Sequence, residues 1–183
     1  MEIEKALCKL SSEKDGGAKY WNISWNQGLI LSEFVSLKQP KCILEIGTSN
    51  GFSTLWLAKN LSADAKITTV EVDPHRAKLA QKTFDSLEPQ KNILLLHAEA
   101  REALETMKID KKFDCVFLDA CQKFYQDLLE IMLRRELLAP RALIMADNVL
   151  SHKLESFVTF MQGIASVQII SEDSGLLVAV LHK

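Results

Sequence analysis

The stretch Cys42-Ile43-Leu44-Glu45-Ile46-Gly47-Thr48-Ser49-Asn50-Gly51-Phe52-Ser53-Thr54 decides the fold. Its first five residues read as a buried strand, Gly47 and Gly51 interrupt it, and apolar residues then resume at helical spacing. A strand that runs through a glycine loop straight into a helix is the opening unit of a parallel sheet. Glycine, having no Cβ, lets the backbone come close to a ligand. The spacing is G-x-x-x-G rather than the G-x-G-x-x-G of dinucleotide-binding loops, so a ligand without phosphates at this point fits better. Glu45 adds an acidic acceptor beside the loop, suited to an ammonium or a hydroxyl. A plain tight βα turn would also produce this pattern.

Outward from this unit, short β-branched runs alternate with longer amphipathic stretches. Strands are expected at 42–46, 67–72, 93–97, 113–118, 143–146, 167–170 and 176–182, and helices at 53–60, 74–87, 100–107, 125–138 and 152–161. Pro74 suits a first helical turn, and Pro140 reads as a stop after a helix. Only 171–175 separates the last two strands, too little for a crossover, so they should form an antiparallel hairpin. The expected fold is α/β: a seven-stranded, mostly parallel sheet with one antiparallel strand and helices on both faces. Residues 1–40 read as helix, loop, helix, with 11–17 as the flexible piece, and residues 41–183 as the core of one domain.

The chain has 183 residues, with 22 Lys+Arg against 24 Asp+Glu. A formal net charge of −2 supplies no global positive field, which weakens any reading built on wrapping a nucleic acid. No window approaches the roughly 18 apolar residues of a membrane span, and the first residues do not resemble a signal peptide. A cytoplasmic protein without membrane contact is expected. Cys8, Cys42, Cys115 and Cys121 form no C-x-x-C pair and are expected as reduced thiols.

Acids stand at successive strand ends. Glu71, at the tip of the second strand, is placed to accept the hydroxyls of a ribose lying across the switch point of the sheet. Glu99, after the third, could accept from an adenine amino group while a backbone N–H near Ala100 donates to a ring nitrogen. A solvated acidic helix start would explain Glu99 equally. Asp119 ends the fourth strand, and Asp147 with Asn148 the fifth. Strand tips about 4.8 Å apart can gather these side chains around one point. Two carboxylates and an amide oxygen suit a hard cation such as Mg²⁺ or Ca²⁺ and do not suit zinc. A helix cap at Asp119 and a turn at Asp147-Asn148 are the structural alternatives.

The Glu45–Ser53 segment, Glu71, Asp119-Ala120 with Tyr125, and Asp147-Asn148-Val149-Leu150 together resemble the cation-dependent O-methyltransferases, the group that includes catechol and caffeoyl-CoA O-methyltransferases. The resemblance extends from about Asn22 to the C-terminus. It implies a Rossmann-like class I methyltransferase fold with S-adenosylmethionine as cofactor. By that resemblance Ile23, Glu45, Gly47 and Ser53 surround the methionine part, Glu71 holds the ribose, and Glu99 and Ala100 flank the adenine. Gly51 and Asp119 complete the cofactor-binding set. Asp119, Asp147 and Asn148 would bind the divalent cation, Mg²⁺ first, with Ca²⁺ or Mn²⁺ as alternatives. A homodimer is also implied. The reaction implied is displacement at a sulfonium methyl by a substrate oxygen that the cation chelates and acidifies.

One position departs from the pattern. The family commonly carries a lysine three residues after the metal-binding aspartate, where Gln122 stands here, and a neutral amide cannot take a proton. Lys123 and His152 are the substitute bases, histidine being the side chain that titrates near neutrality; Lys123 as a solvated charge and His152 as a structural or solvent-facing residue are the alternatives. Arg141-Ala142 replaces a family glycine pair and is expected to alter only a turn. The expected acceptor is a small molecule with neighbouring hydroxyls. An RNA acceptor, such as a tRNA hydroxyuridine, would need a basic face from Lys123, Arg134, Arg135, Arg141 and Lys153, which nearby acids dilute. A cofactor-binding module without catalysis is the third reading, supported by Gln122. Tyr20, Trp21 and Trp25 either wall an acceptor pocket, or anchor the N-terminal segment on the domain or face a second subunit.

Overall fold

A computed structural model describes residues 1–12, 18–88 and 91–183. Most of the segment expected to be flexible, 11–17, lies outside the described residues. The helices are α1 (Ile3–Ser11), α2 (Trp25–Lys38), α3 (Phe52–Ala58), α4 (Pro74–Asp85), α5 (Ala100–Thr106), α6 (Tyr125–Arg134) and α7 (Glu155–Ile164). The strands are β1 (Cys42–Ile46), β2 (Lys66–Glu71), β3 (Ile93–His97), β4 (Phe113–Leu118), β5 (Leu138–Ala146), β6 (Ala165–Ile170) and β7 (Leu176–Leu181).

They form one seven-stranded sheet in the order β3-β2-β1-β4-β5-β7-β6. β1 through β5 pair in parallel, and β7 runs antiparallel to both β5 and β6. The strands stay parallel while the order of their succession across the sheet reverses between β1 and β4, and that switch point opens a crevice at the carboxyl ends of the central strands. Alternation along the strands divides the core. Leu44, Val116, Leu118 and Ile144 face the layer of α5, α6 and α7. Ile43, Cys115, Phe117 and Leu143 face the layer of α1 to α4. Full burial of each such side chain contributes about 1.5–3 kcal/mol.

The N-terminal segment is tied to both ends of the crevice. Ser24 caps α2 by accepting from the Gln27 N–H at 3.1 Å, and its hydroxyl donates to Asp173 in the β6–β7 turn. Ser49, in the loop after β1, donates to the Tyr20 carbonyl at 2.7 Å. Trp25 packs edge-on against Trp56 with ring centroids 4.9 Å apart.

Several boundaries differ from those read in the sequence. α6 stops at Arg134 and the chain turns at Glu136 with φ +52, so β5 begins at Leu138 and already contains Pro140. Phe113 pairs with Leu138 and Cys115 with Leu143, so two steps along β4 face five along β5. The proline sits in this bulge, where a missing N–H breaks no ladder bond. Arg141 lies in the same bulge at φ +56, a left-handed conformation, so its effect is a strained backbone and more than an altered turn. α7 begins at Glu155, which leaves His152 in the preceding turn. All four cysteines are free thiols. Among the described residues no helix is long and apolar enough to cross a membrane.

Candidate functional site

A cavity of about 1040 Å³ occupies the crevice. Its wall includes Ile23, Gly47, Glu71, Glu99, Ala100, Asp119, Asp147 and Asn148, together with Gln122 and His152, so ten of the residues singled out in the sequence meet in one space. Tyr20, Trp21 and Trp25 also line it, which makes the aromatic cluster both a wall and an anchor. Arg76 stacks on the exposed Trp21 indole at the mouth, 4.2 Å from the ring centroid.

Four expected residues are not on the wall. Glu45 shares its strand face with Ile43, so it points into the α1 to α4 layer, where it is fully buried. Its oxygens accept from the hydroxyls of Ser53 at 2.7 Å, Thr69 at 2.6 Å and Thr54 at 2.5 Å. Burial pushes its carboxyl above the ordinary glutamate value, those three hydroxyls pull it back, and the Glu71 charge raises it again. Glu45 is a buried brace for the loop and α3, and Ser53 is spent on it. Gly51 caps α3 at φ +92, and a Cβ there would stand 2.8 Å from the Phe84 ring. Its glycine answers to packing against α4. Lys123 lies off the wall, with its ammonium 4.7 Å from the Phe124 ring centroid.

Gly47 does line the cavity, at φ +104, and a Cβ there would overlap the backbone carbonyl of Asp119. Glu71 accepts the Ser49 N–H at 2.7 Å on one oxygen and the Asp73 N–H at 2.8 Å on the other. The acid that faces the cavity thereby also fixes the glycine loop. Glu99 caps α5 by accepting from the Glu102 N–H at 3.0 Å, so the capping and the cavity-facing readings hold together.

Asp119 and Asp147 form the acidic end. Desolvation drives the Asp119 carboxyl well above the ordinary carboxylate range, and the charges of Asp147 and Glu45 push it further. Asp147 is held differently. Its Oδ1 accepts from Gln27 Nε2, from the Ser174 hydroxyl at 2.8 Å and from the Asn148 N–H at 2.6 Å. Its Oδ2 accepts, among the described residues, only from Asn148 Nδ2 at 3.0 Å. Among the described residues no three His, Cys, Asp or Glu side chains converge, so the oxygen set here is two acids and one amide. His152 Nδ1 lies 3.0 Å from the Ser151 hydroxyl, leaving Nε2 as its second site. Sequence reasoning missed Gln27 and Ser174, and marked Asn22 only as the start of the family resemblance. The Asn22 amide nitrogen is buried beside the cavity without a hydrogen-bond partner among the described residues. An Asn or Gln near a chain end carries no local signal of this kind.

Two of the basic residues considered for an RNA face are engaged elsewhere. Arg134 pairs with Glu105, and Arg135 donates to the carbonyls of Leu104 and Glu105. Arg76 is the one lysine or arginine on the cavity wall among the described residues.

Residues 2–160 match the family described as O-methyltransferase. The chain belongs to the O-methyltransferase family. Within that family it is 33% identical over 151 residues to a catechol O-methyltransferase of Niastella koreensis, covering 81% of this chain and 67% of that one. It is 27% identical over 144 residues to catechol O-methyltransferase B of Danio rerio, covering 77% and 54%. The chain thus spans between about half and two thirds of those relatives' lengths. Its fold is similar to that of the O-methyltransferase TomG from Streptomyces achromogenes, solved in complex with SAM, with a TM-score of 0.85, 23% identity and coverage of 98% of this chain and 90% of that one. This O-methyltransferase family member therefore has the class I methyltransferase fold expected from its sequence.

Proposed function

We propose that the protein is an S-adenosylmethionine-dependent O-methyltransferase that acts on a small acceptor bearing neighbouring hydroxyls, with a divalent cation assisting. The observation that carries this reading is the single cavity that joins Gly47, Glu71 and Glu99 at one end to Asp119, Asp147 and Asn148 at the other. Relatives named as catechol O-methyltransferases and a fold neighbour in complex with SAM support it.

The residues fit both groups. A carboxylate left at a desolvation cost beside a second acid, as Asp119 is, is what a bound cation would compensate. Asp119, Asp147 Oδ2 and the Asn148 amide oxygen are hard donors suited to Mg²⁺ and its like. When bound, the cation supplies a chelating centre for two neighbouring oxygens and lowers the pKa of the attacking hydroxyl. When bound, the cofactor supplies a methyl on a sulfonium. Glu71, with one lone pair free on each oxygen beyond its two backbone bonds, would accept ribose hydroxyls. Gly47 keeps the backbone of the loop flat against that end. His152, on the wall with Nδ1 beside the Ser151 hydroxyl, would take the acceptor proton through Nε2, whereas Gln122 can only hydrogen-bond. Orientation of the acceptor between these two ends supplies much of the remaining rate. With acids outnumbering Arg76 along the wall, a neutral or cationic acceptor suits the cavity better than a polyphosphate or an RNA.

Calorimetric titration with S-adenosylhomocysteine, with and without Mg²⁺, followed by methyl transfer to a catechol, tests this. The expected result is cofactor-product binding and turnover that EDTA abolishes. Asp119→Ala and Asp147→Ala should lose turnover while cofactor binding weakens less. Failure to bind S-adenosylhomocysteine at any metal concentration would overturn the reading, and EDTA-insensitive turnover would remove the cation from it.

A further inference from the structure

Asp147 is the most heavily bonded side chain in the cavity, and its donors come from three separate stretches of chain. Gln27, 1% exposed on the first turn of α2, donates to Oδ1 from 120 residues away. Ser174, in the β6–β7 turn, donates to the same oxygen at 2.8 Å. The Asn148 N–H completes the three at 2.6 Å. Each carboxylate oxygen offers about two acceptor positions, so Oδ1 is saturated while Oδ2, with one donor among the described residues, keeps an open acceptor position.

The two remote donors are themselves held. Ser24 links α2 to the turn, accepting from the Gln27 N–H and donating to Asp173, the residue before Ser174. The Ser174 carbonyl accepts from the N–H groups of Leu150 and Ser151 at 3.1 and 3.0 Å, and the Gly175 carbonyl from Val149 at 3.0 Å. Gly175 has φ +86, and a Cβ there would stand 2.7 Å from Leu150 Cβ, so only glycine lets the turn lie this close to the segment after β5.

We infer that Gln27 and Ser174 are positioning residues that turn Asp147 into a one-oxygen cation ligand, saturating Oδ1 and presenting Oδ2. The inference rests on the cation reading above. Neither residue touches the cation. Each acts by fixing the orientation of a ligand, as outer partners do for metal-bound carboxylates.

Mn²⁺, as the probe, is titrated into the full-length protein and read by calorimetry and by the EPR signal of free Mn²⁺. S-adenosylhomocysteine affinity without metal is measured in parallel. Gln27→Met keeps the volume and removes the donor, Ser174→Ala removes only a hydroxyl on a turn, and Ser174→Thr retains it. The expected result is Mn²⁺ affinity weakened about 10–100-fold in Gln27→Met and about tenfold in Ser174→Ala, near wild type in Ser174→Thr, with S-adenosylhomocysteine affinity within about twofold throughout. Should Gln27→Met fail to fold, the two Ser174 variants decide alone. Unchanged Mn²⁺ affinity in the variants overturns the inference while leaving the cation reading intact. Parallel loss of both affinities overturns it as well, since it points to general disruption. A wild-type protein that binds S-adenosylhomocysteine and no Mn²⁺ removes the cation reading and this inference together.

Discussion

The Cα of Gly47 lies directly against the backbone of Asp119, so closely that a Cβ on Gly47 would stand 2.6 Å from the Asp119 carbonyl carbon and overlap its oxygen. The loop after β1 and the tip of β4 are locked further by the Asp119 N–H donating to the Ile46 carbonyl at 2.9 Å. The loop after β1 and the acidic end of the cavity therefore share one tightly packed stretch of backbone.

Gly47→Ala should accordingly cost about 2–5 kcal/mol, the sum of a left-handed φ and an unrelieved overlap with backbone. Urea denaturation measures it, and S-adenosylhomocysteine affinity should fall in parallel. A variant as stable as wild type would place the two backbones farther apart than described.

Glu45 links stability to pH. Burial raises its carboxyl above the ordinary glutamate value, so the folded chain holds this proton more tightly than the unfolded chain does. Its ionisation therefore opposes folding: stability is greatest below the ordinary glutamate value and declines as pH rises through the raised folded value. Glu45→Gln removes that decline. Denaturation at pH 5 and pH 8 should show the variant gaining on wild type as pH rises, and a gain in the opposite direction would contradict the assignment.

Gln122 shares a wall with His152, and only the histidine can take a proton. His152→Asn should lower kcat for the catechol reaction by about tenfold or more. Gln122→Lys should raise kcat and shrink the effect of losing His152, because a second base is then present. Equal losses from His152→Asn in both backgrounds would show that the lysine does not reach the acceptor.

Arg141 holds φ +56 in the β5 bulge, and its interactions there run through the backbone: its N–H donates to Lys183 at 2.7 Å and its carbonyl accepts from Lys38 at 2.9 Å. Arg141→Gly keeps both bonds and relieves the left-handed strain. A gain of about 0.5–1 kcal/mol is expected after the greater freedom of glycine in the unfolded chain is subtracted. A loss in urea denaturation would mean that the arginine side chain contributes more than its backbone costs.

The order of strands and helices was readable because the central strands are short buried runs, as Cys42–Ile46 is, and helices such as Tyr125–Arg134 carry their own spacing of apolar residues. The start of β5 was not. A bulge lets Pro140 sit inside a strand, and nothing local distinguishes that proline from one that ends a helix. His152 failed similarly, since apolar spacing continued through a turn that belongs to the loop.

The sequence by itself determined the βα rhythm, the glycine loop and the row of acids at the strand ends, because these depend on neighbours a few residues apart. Tertiary structure alone decided which acids reach the cavity and which of their oxygens are already taken. Glu45 turns inward because its strand face meets α3, and Asp147 Oδ1 is filled by donors from Gln27 and Ser174. A hydrogen bond that closes a loop of 120 residues leaves no trace in local pattern, since it exists only once the layers have packed.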